Sequence, residues 1–237
     1  MVLLLSILFT RQNKERLFDY KDFKILKFAT IFGANAAGKS NLLHAVETAR
    51  NITLNSLDNP FMNNIKNDYY ILDKSNEYKN TYFEFEILID DVLYAYGFEL
   101  VLSELKIKEE WLIKLTKEKE IPIFIRNTTT KKIEFNKEYI GEEREVRMNI
   151  YIEDFQNVNN SLLLRYLVDD TKDELYKNND KLLILRKIYN YIKSINISYP
   201  NTSITGYDYL PQENIEDILK SIKYFNTLQN IFNIFLR

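Results

Sequence analysis

Three hydrophobic periods follow one another along the chain, and each predicts a different element. The opening run "MVLLLSILF", apolar but for Ser6, reads as a buried strand. It is too short to span a bilayer and lacks the basic region and cleavage site of a signal peptide. A second short run, "ILKFATIF" over 25–32, predicts another buried strand. From Lys39 the spacing turns helical, with Leu42, Leu43, Val46 and Ala49 recurring through "KSNLLHAVETARNI".

From Thr81 to about Phe135 the period becomes two. In "YFEFEILI", Phe83, Phe85, Ile87 and Ile89 share one face, with Glu84 and Glu86 opposite. "VLYAYGFEL" returns with Val92, Tyr94, Tyr96 and Phe98 alternating, and "ELKIKEEWLIKL", "IPIFIRN" and "KKIEFN" read as further strands. Polar turns separate them, which predicts an antiparallel meander with one wet face. Its aromatic stripe is read as core packing, since strands favour aromatic residues. Beyond Glu138, "NNSLLLRYLVDD" and "DKLLILRKIYNYIKSI" return to helical spacing. "PQENIEDILKSIKYFNTLQNIFNIFLR" adds a proline and first-turn acids, which mark a helix start. Three segments are expected: 1–56 as strand, loop and helix, 57–140 as a β-rich lobe, and 141–237 as helices.

Composition narrows the chemistry. With no cysteine, disulfides, thiol catalysis and cysteine-ligated zinc are excluded, and the single histidine, His44, rules out His-rich metal sites. The net charge of −2 gives no global attraction for nucleic acid, so such a partner would need a local basic patch. The chain is expected to be cytoplasmic, with no membrane partner.

Only five glycines occur in 237 residues, and two of them stand in "GANAAGKSN" at 33–41. Gly33, Gly38, Lys39 and Ser40 fit the P-loop pattern of two glycines flanking four residues, followed by Lys and Ser or Thr. The glycines let the backbone take conformations closed to other residues and approach a phosphate. The amides of Ala34, Asn35, Ala36 and Ala37 would form an anion nest, completed by the N-terminus of the helix that follows. Lys39 would meet the β- and γ-phosphates and their transition-state charge, and the Ser40 hydroxyl would ligate Mg²⁺. ATP and Mg²⁺ are therefore the expected cofactors, held across Gly33–Asn41.

The wording "FGANAAGKSNLLHAV", with Asn41 after the serine, resembles the Walker A segment of ABC-type ATPases of the RecF/SMC and OLD-like branch. It is most similar to the AAA-family ATPases of bacterial anti-phage and abortive-infection loci. "YFEFEILIDDVLYAYGFEL", "EEWL" and "NNSLLLRYL" extend the likeness. The resemblance implies an α/β fold: a P-loop core with a mixed or parallel sheet, an antiparallel β-meander lobe and C-terminal helices. It also implies a signature motif, a strand ending in Asp-Glu and a switch histidine, none of which is recognisable before Arg237. The expectation is thus an N-terminal ATPase part whose C-terminal half is missing. Hydrolysis would require carboxylates from a complementary half or from a second copy in a dimer. The alternatives are a non-catalytic nucleotide-binding interaction module, a decayed ATPase fragment, or a small P-loop kinase.

Other candidates read as structure. Asp90 and Asp91 imitate a Walker B end but stand between two alternating strands, as a hairpin turn would. "YLVDD" at 166–170 reads as a helix end or the cap of the next, and "SITG" at 203–206 lacks the second glycine of a signature motif. Gln156, between the β-rich part and a helix, is a candidate γ-phosphate sensor beside its plainer reading as a loop residue. His44, lacking a visible Asp or Ser partner, reads as structural or surface. Lys131 and Lys132 read as a solvated turn, and Trp111 as core.

Overall fold

Five antiparallel strands in simple order dominate the computed structural model, which describes residues 17–20, 23–26, 30–34 and 38–198. They are β3 (Asn80–Ile89), β4 (Val92–Val101), β5 (Lys106–Leu115), β6 (Glu120–Asn127) and β7 (Lys132–Phe135), each paired with the next. Two strands nearer the N-terminus, β1 (Leu17–Tyr20) and β2 (Phe23–Leu26), pair antiparallel as a separate ribbon. The first expected strand, 1–9, lies outside the described residues, as do "SITG" and the segment from Pro211 onward. Contacts divide the chain at residue 195, and the unit beyond it is almost wholly outside the described residues.

The strand expected over 25–32 is realised only in part. β2 ends at Leu26, while Thr30–Ala34 carry no regular structure, with Ile31 57% and Phe32 88% exposed. A P-loop strand is normally buried by parallel neighbours. Every strand pair among the described residues is antiparallel, so nothing there covers this run.

Helices cover one face of the five-stranded sheet. They are α1 (Lys39–Leu54), α2 (Lys137–Ile140), α3 (Glu145–Phe155), α4 (Leu163–Leu167) and α5 (Ile184–Ser194). The fold is mixed α/β. The shared core takes Phe83, Tyr96, Phe98 and Leu112 from the sheet, Ala49 and Ile52 from α1, Leu163, Leu164 and Leu167 from α4, and Leu185, Ile188 and Ile192 from α5. No helix among the described residues is long and apolar enough to cross a membrane.

The β3–β4 connection is the turn expected at Asp90-Asp91. Both residues take left-handed φ, 48° and 60°, which matches the twist a two-residue hairpin needs. The expectations for "YLVDD" also hold: α4 ends at Leu167, and the Asp169 carboxylate accepts from the Thr171 N–H at 3.0 Å to cap the next turn. Lys131, at φ 58°, and Lys132 follow as the β6–β7 turn and the start of β7.

Trp111 departs from expectation. On β5, Glu99 of β4 pairs with Glu109 and Leu100 with Ile107, so Lys108 is an extra residue. This bulge reverses the alternation beyond it, because the side-chain period is two. Glu110 therefore enters the core, at 0% exposure, and Trp111 turns to the other face. There Trp111 stacks on Tyr82, with ring centroids 5.2 Å apart, and donates from Nε1 to Glu84 at 2.7 Å. It also lies over Gly97, where an added Cβ would meet its ring at 2.4 Å.

A second bulge, at Ile123 of β6, does the same to Arg126, which is 1% exposed. Glu110 and Arg126 become direct cross-strand partners inside the core. The Glu110 carboxylate accepts from Arg126 Nη1 at 3.3 Å, from Tyr96 Oη at 3.1 Å, and from the first two N–H groups of α4, Leu163 at 2.5 Å and Leu164 at 2.9 Å. Arg126 donates to the carbonyls of Ser161, at 2.9 Å, and Val158, and its guanidinium lies 4.4 Å from the Phe155 ring centroid. Burial raises the Glu110 pKa, opposed by the Arg126 charge and the α4 N–H groups; burial lowers that of Arg126, opposed by Glu110.

Removing one partner strands the other charge in the core. Glu110→Ala and Arg126→Ala should each lower unfolding stability by about 3–5 kcal/mol, and the double variant by less than their sum, as read by denaturant titration. Gly97→Ala should cost about 1–3 kcal/mol through displacement of Trp111. Because Trp111 is the chain's one tryptophan, its emission should shift as well; an unchanged spectrum at full stability would contradict this packing.

Candidate functional site

Helix α1 begins as the P-loop pattern requires. Gly38 is its N-cap residue, with φ 83° and ψ 10°, a left-handed conformation that costs other residues about 1–2 kcal/mol. A Cβ there would meet nothing within 4 Å, so the backbone angle, and not space, demands glycine. No side chain caps the helix, and its first turn holds no acid. The N–H groups and positive dipole end at Lys39 and Ser40 thus stay uncompensated by any carboxylate of that turn.

Lys39 folds back over the loop. Its Nζ donates to the carbonyls of Gly33 at 2.7 Å and Ala34 at 2.6 Å, tying the two ends of the loop together. Asn41 N–H donates to Gly38 O at 3.1 Å, which closes the first turn, and the Ser40 and Asn41 side chains are exposed. Asn35, Ala36 and Ala37 lie outside the described residues. Among the described residues, then, the structure brings Gly33, Ala34, Gly38, Lys39, Ser40 and Asn41 together. An ammonium, a helix N-terminus and a hydroxyl converge there, a set suited to a polyphosphate with a hard cation.

The other end of α1 is clamped. Thr48, Ala49, Ile52 and Thr53 are buried, Arg50 Nη2 donates to Lys193 O at 3.0 Å, and Arg165 Nε donates to Leu54 O at 3.1 Å. Leu57 N–H donates to Asn160 O at 2.7 Å. The helix is therefore fixed at its C-terminal half, while its N-terminal end, with exposed Ser40 and Asn41, projects from the core.

That clamp also locates Gln156. It follows α3 directly and belongs to the 156–161 segment, which is bonded to Arg126 and to the far end of α1. A helix of 16 residues is about 24 Å long, so this segment is anchored at the end opposite Ser40. The structure does not bring Gln156 to the loop. Asp90 is similarly engaged elsewhere, its carboxylate paired with Lys187 of α5.

His44 has the partner that no sequence spacing revealed. Its Nε2 lies 3.0 Å from Asp68 Oδ2, and its Nδ1 lies 3.8 Å from Glu47 Oε2. Asp68 follows a 3-10 turn at Pro60–Asn67 that lies beside α1 only in the folded chain. Next to this pair is a cavity of about 350 Å³, lined by Asn41, His44, Ala45 and Thr48 of α1 and by Asp68, Tyr69, Thr81, Tyr82, Phe83 and Leu102. The Tyr82 ring is turned to the other sheet face, stacked on Trp111, where burial raises the pKa of its phenol and Glu84 beside it adds to the effect.

Residues 28–147 match the family described as "AAA domain, putative AbiEii toxin, Type IV TA system", a span that is half of the chain. The chain belongs to this family. The match runs from the lead-in of the loop through α1 and the whole five-stranded sheet into α3. The meander is thus part of the AAA domain, which is of the P-loop, ATPase-like kind. No curated protein and no solved structure matches the chain.

Gly38→Ala in this AAA domain should lower stability by about 1–2 kcal/mol through the left-handed angle alone, as measured by chemical denaturation. Gly38→Asn should lose less, because asparagine tolerates that conformation. An alanine variant as stable as the parent would mean that the loop leaves this geometry at no cost.

Proposed function

We propose that the chain binds ATP with Mg²⁺ at Gly33–Asn41, as the N-terminal part of an ABC/SMC-type ATPase of the anti-phage or abortive-infection kind. The observation that carries this reading is the closure of the loop by Lys39 across the Gly33 and Ala34 carbonyls, at a helix start whose glycine is left-handed. In this reading Lys39 exchanges those carbonyls for the β- and γ-phosphates. Ser40 holds the cation, and the backbone amides of the loop take the remaining oxygens.

Hydrolysis needs further carboxylates, one for the magnesium shell and one for the attacking water. The acids that imitate such a strand end are committed elsewhere: Asp90 and Asp91 turn a hairpin, and Asp169 caps a turn. The carboxylates would therefore come from a complementary ATPase half or from a second copy. The work coupled to turnover would belong to a toxin–antitoxin or abortive-infection setting in the cytoplasm, with nucleic acid as a partner only through a local patch. The same observation favours a second reading, a nucleotide-binding interaction module that never hydrolyses.

Titration calorimetry separates these. MgATP should bind the intact chain, and Lys39→Ala should weaken binding by about tenfold or more, the loss expected for a charge-assisted contact. Turnover should be negligible for the chain alone and should appear when the product of an adjacent reading frame is added. No turnover in any such mixture supports the interaction module. Binding indifferent to Lys39→Ala would sink both readings.

A further inference from the structure

The sheet has a second face that its helices do not use. Cross-strand register sets the rows on it. Glu84, Gly97, Trp111, Ile125 and Glu134 stand side by side from β3 to β7, and Glu86, Ala95, Ile113 and Pro122 form the next row. None of these residues belongs to the core that the sheet shares with its helices. The middle of the face is apolar and open: Ile125 is 41% exposed, Pro122 is exposed, and Trp111 and Ile113 are half-buried.

Acids frame that middle. Glu84 and Glu86 flank it on β3 and Glu134 on β7, while Glu99 and Glu109 close one end and Glu120 the other. Lys132 is the lone cation in these rows, against six glutamates, on a chain whose net charge is only −2. Among the described residues, none of the six is ion-paired. Neutral donors reach three of them: Trp111 Nε1 to Glu84 at 2.7 Å, Asn80 Nδ2 to Glu99 at 2.8 Å, and Asn127 Nδ2 to Glu109 at 2.7 Å. Those bonds leave the negative charge in place. Burial, and then the like charge of Glu84, raises the Glu86 pKa.

An apolar middle inside a frame of one sign calls for a partner with apolar side chains and positive charge. Nucleic acid or an anionic membrane would be repelled. A second copy, using the same patch, would bring the same acids against these. We propose that this face docks a basic amphipathic helix of a partner protein. Its apolar stripe lies over Trp111, Ile113, Pro122 and Ile125, and its Lys or Arg side chains reach Glu84 and Glu86 on one flank and Glu134 on the other.

The dimensions agree. Strands stand about 4.8 Å apart and same-face residues about 6.7 Å, so the face spans roughly 20 Å each way. That accommodates one helix about 10 Å wide with long cationic side chains on both flanks, and it is about half the ~800 Å² per partner of a standard interface. Glu84 and Glu86, about 6.7 Å apart along β3, match the rise of about 6 Å between positions i and i+4 of a helix laid along the strands. The proposal is independent of the P-loop reading.

Trp111, the chain's one tryptophan, reports on this face directly. The test titrates the intact chain with a tryptophan-free helical peptide carrying a leucine stripe flanked by lysines, and with its counterpart carrying glutamates for the lysines. The basic peptide should shift Trp111 emission saturably and bind at least about tenfold tighter than the acidic one, and Glu86→Lys with Glu134→Lys should reverse that preference. Should this variant lose the circular dichroism of the parent, Glu86→Gln with Glu134→Gln replaces it and should weaken the basic peptide about threefold. A Trp111 emission indifferent to the basic peptide, equal binding of the two peptides, or binding unaltered by the substitutions each overturns the proposal. A DNA duplex that moves Trp111 emission in the peptide's place gives the face to a polyanion and overturns it as well.

Discussion

The ion pair between Glu110 and Arg126 is the constraint on which the arrangement depends. Two charges at 0% and 1% exposure are tolerable only when most of their hydrogen-bonding capacity is met by a fixed constellation of partners, and here Arg126 Nε alone of the pair's polar atoms is buried without one. Here the partners come from four places: Tyr96 of β4, the first N–H groups of α4, and the carbonyls of Val158 and Ser161. The pair therefore fixes where α4 starts and how the 156–161 segment runs. Those in turn hold α1 through Arg165 and Asn160. A continuous set of contacts links a charge inside the sheet to the helix that carries the loop.

This makes α1 a lever clamped at one end. Its second half is locked by the sheet and by α4 and α5, and its first half carries exposed Ser40, Asn41, Leu43 and His44. Such a division suits a site that meets ligand at the helix N-terminus, since the rigid half holds the amides in place while the loop accommodates charge. The family match, from residue 28 to 147, covers the loop, α1 and the sheet, and ends before α4 and α5. The antiparallel sheet is thus one unit with the loop, and the ion pair at its centre serves the site from a distance.

The loop was the most legible feature, because its chemistry is carried by neighbours in sequence. Gly33, Gly38, Lys39 and Ser40 need only a strand-like approach and a helix to meet, and the backbone angle at Gly38 agrees with the spacing. The hairpin at Asp90-Asp91 was legible for the same reason, being set by two adjacent residues. For Gln156, order along the chain says nothing of which end of α1 its segment reaches. The pairing of His44 with Asp68 was missed because those residues meet only after the 57–68 segment has folded back along the helix.

By itself the sequence determined the elements whose causes are local: the two-residue period of the meander, the turns between its strands, the helix after the loop and the glycine at its start. The tertiary structure alone decided which side chains face inward beyond each bulge. One extra residue at Lys108 and one at Ile123 exchange the faces of everything that follows, so a glutamate and an arginine enter the core and Trp111 leaves it. No pattern of polar and apolar residues predicts that exchange. A bulge is stable only when the groups it turns inward find partners, and those partners stand far off along the chain.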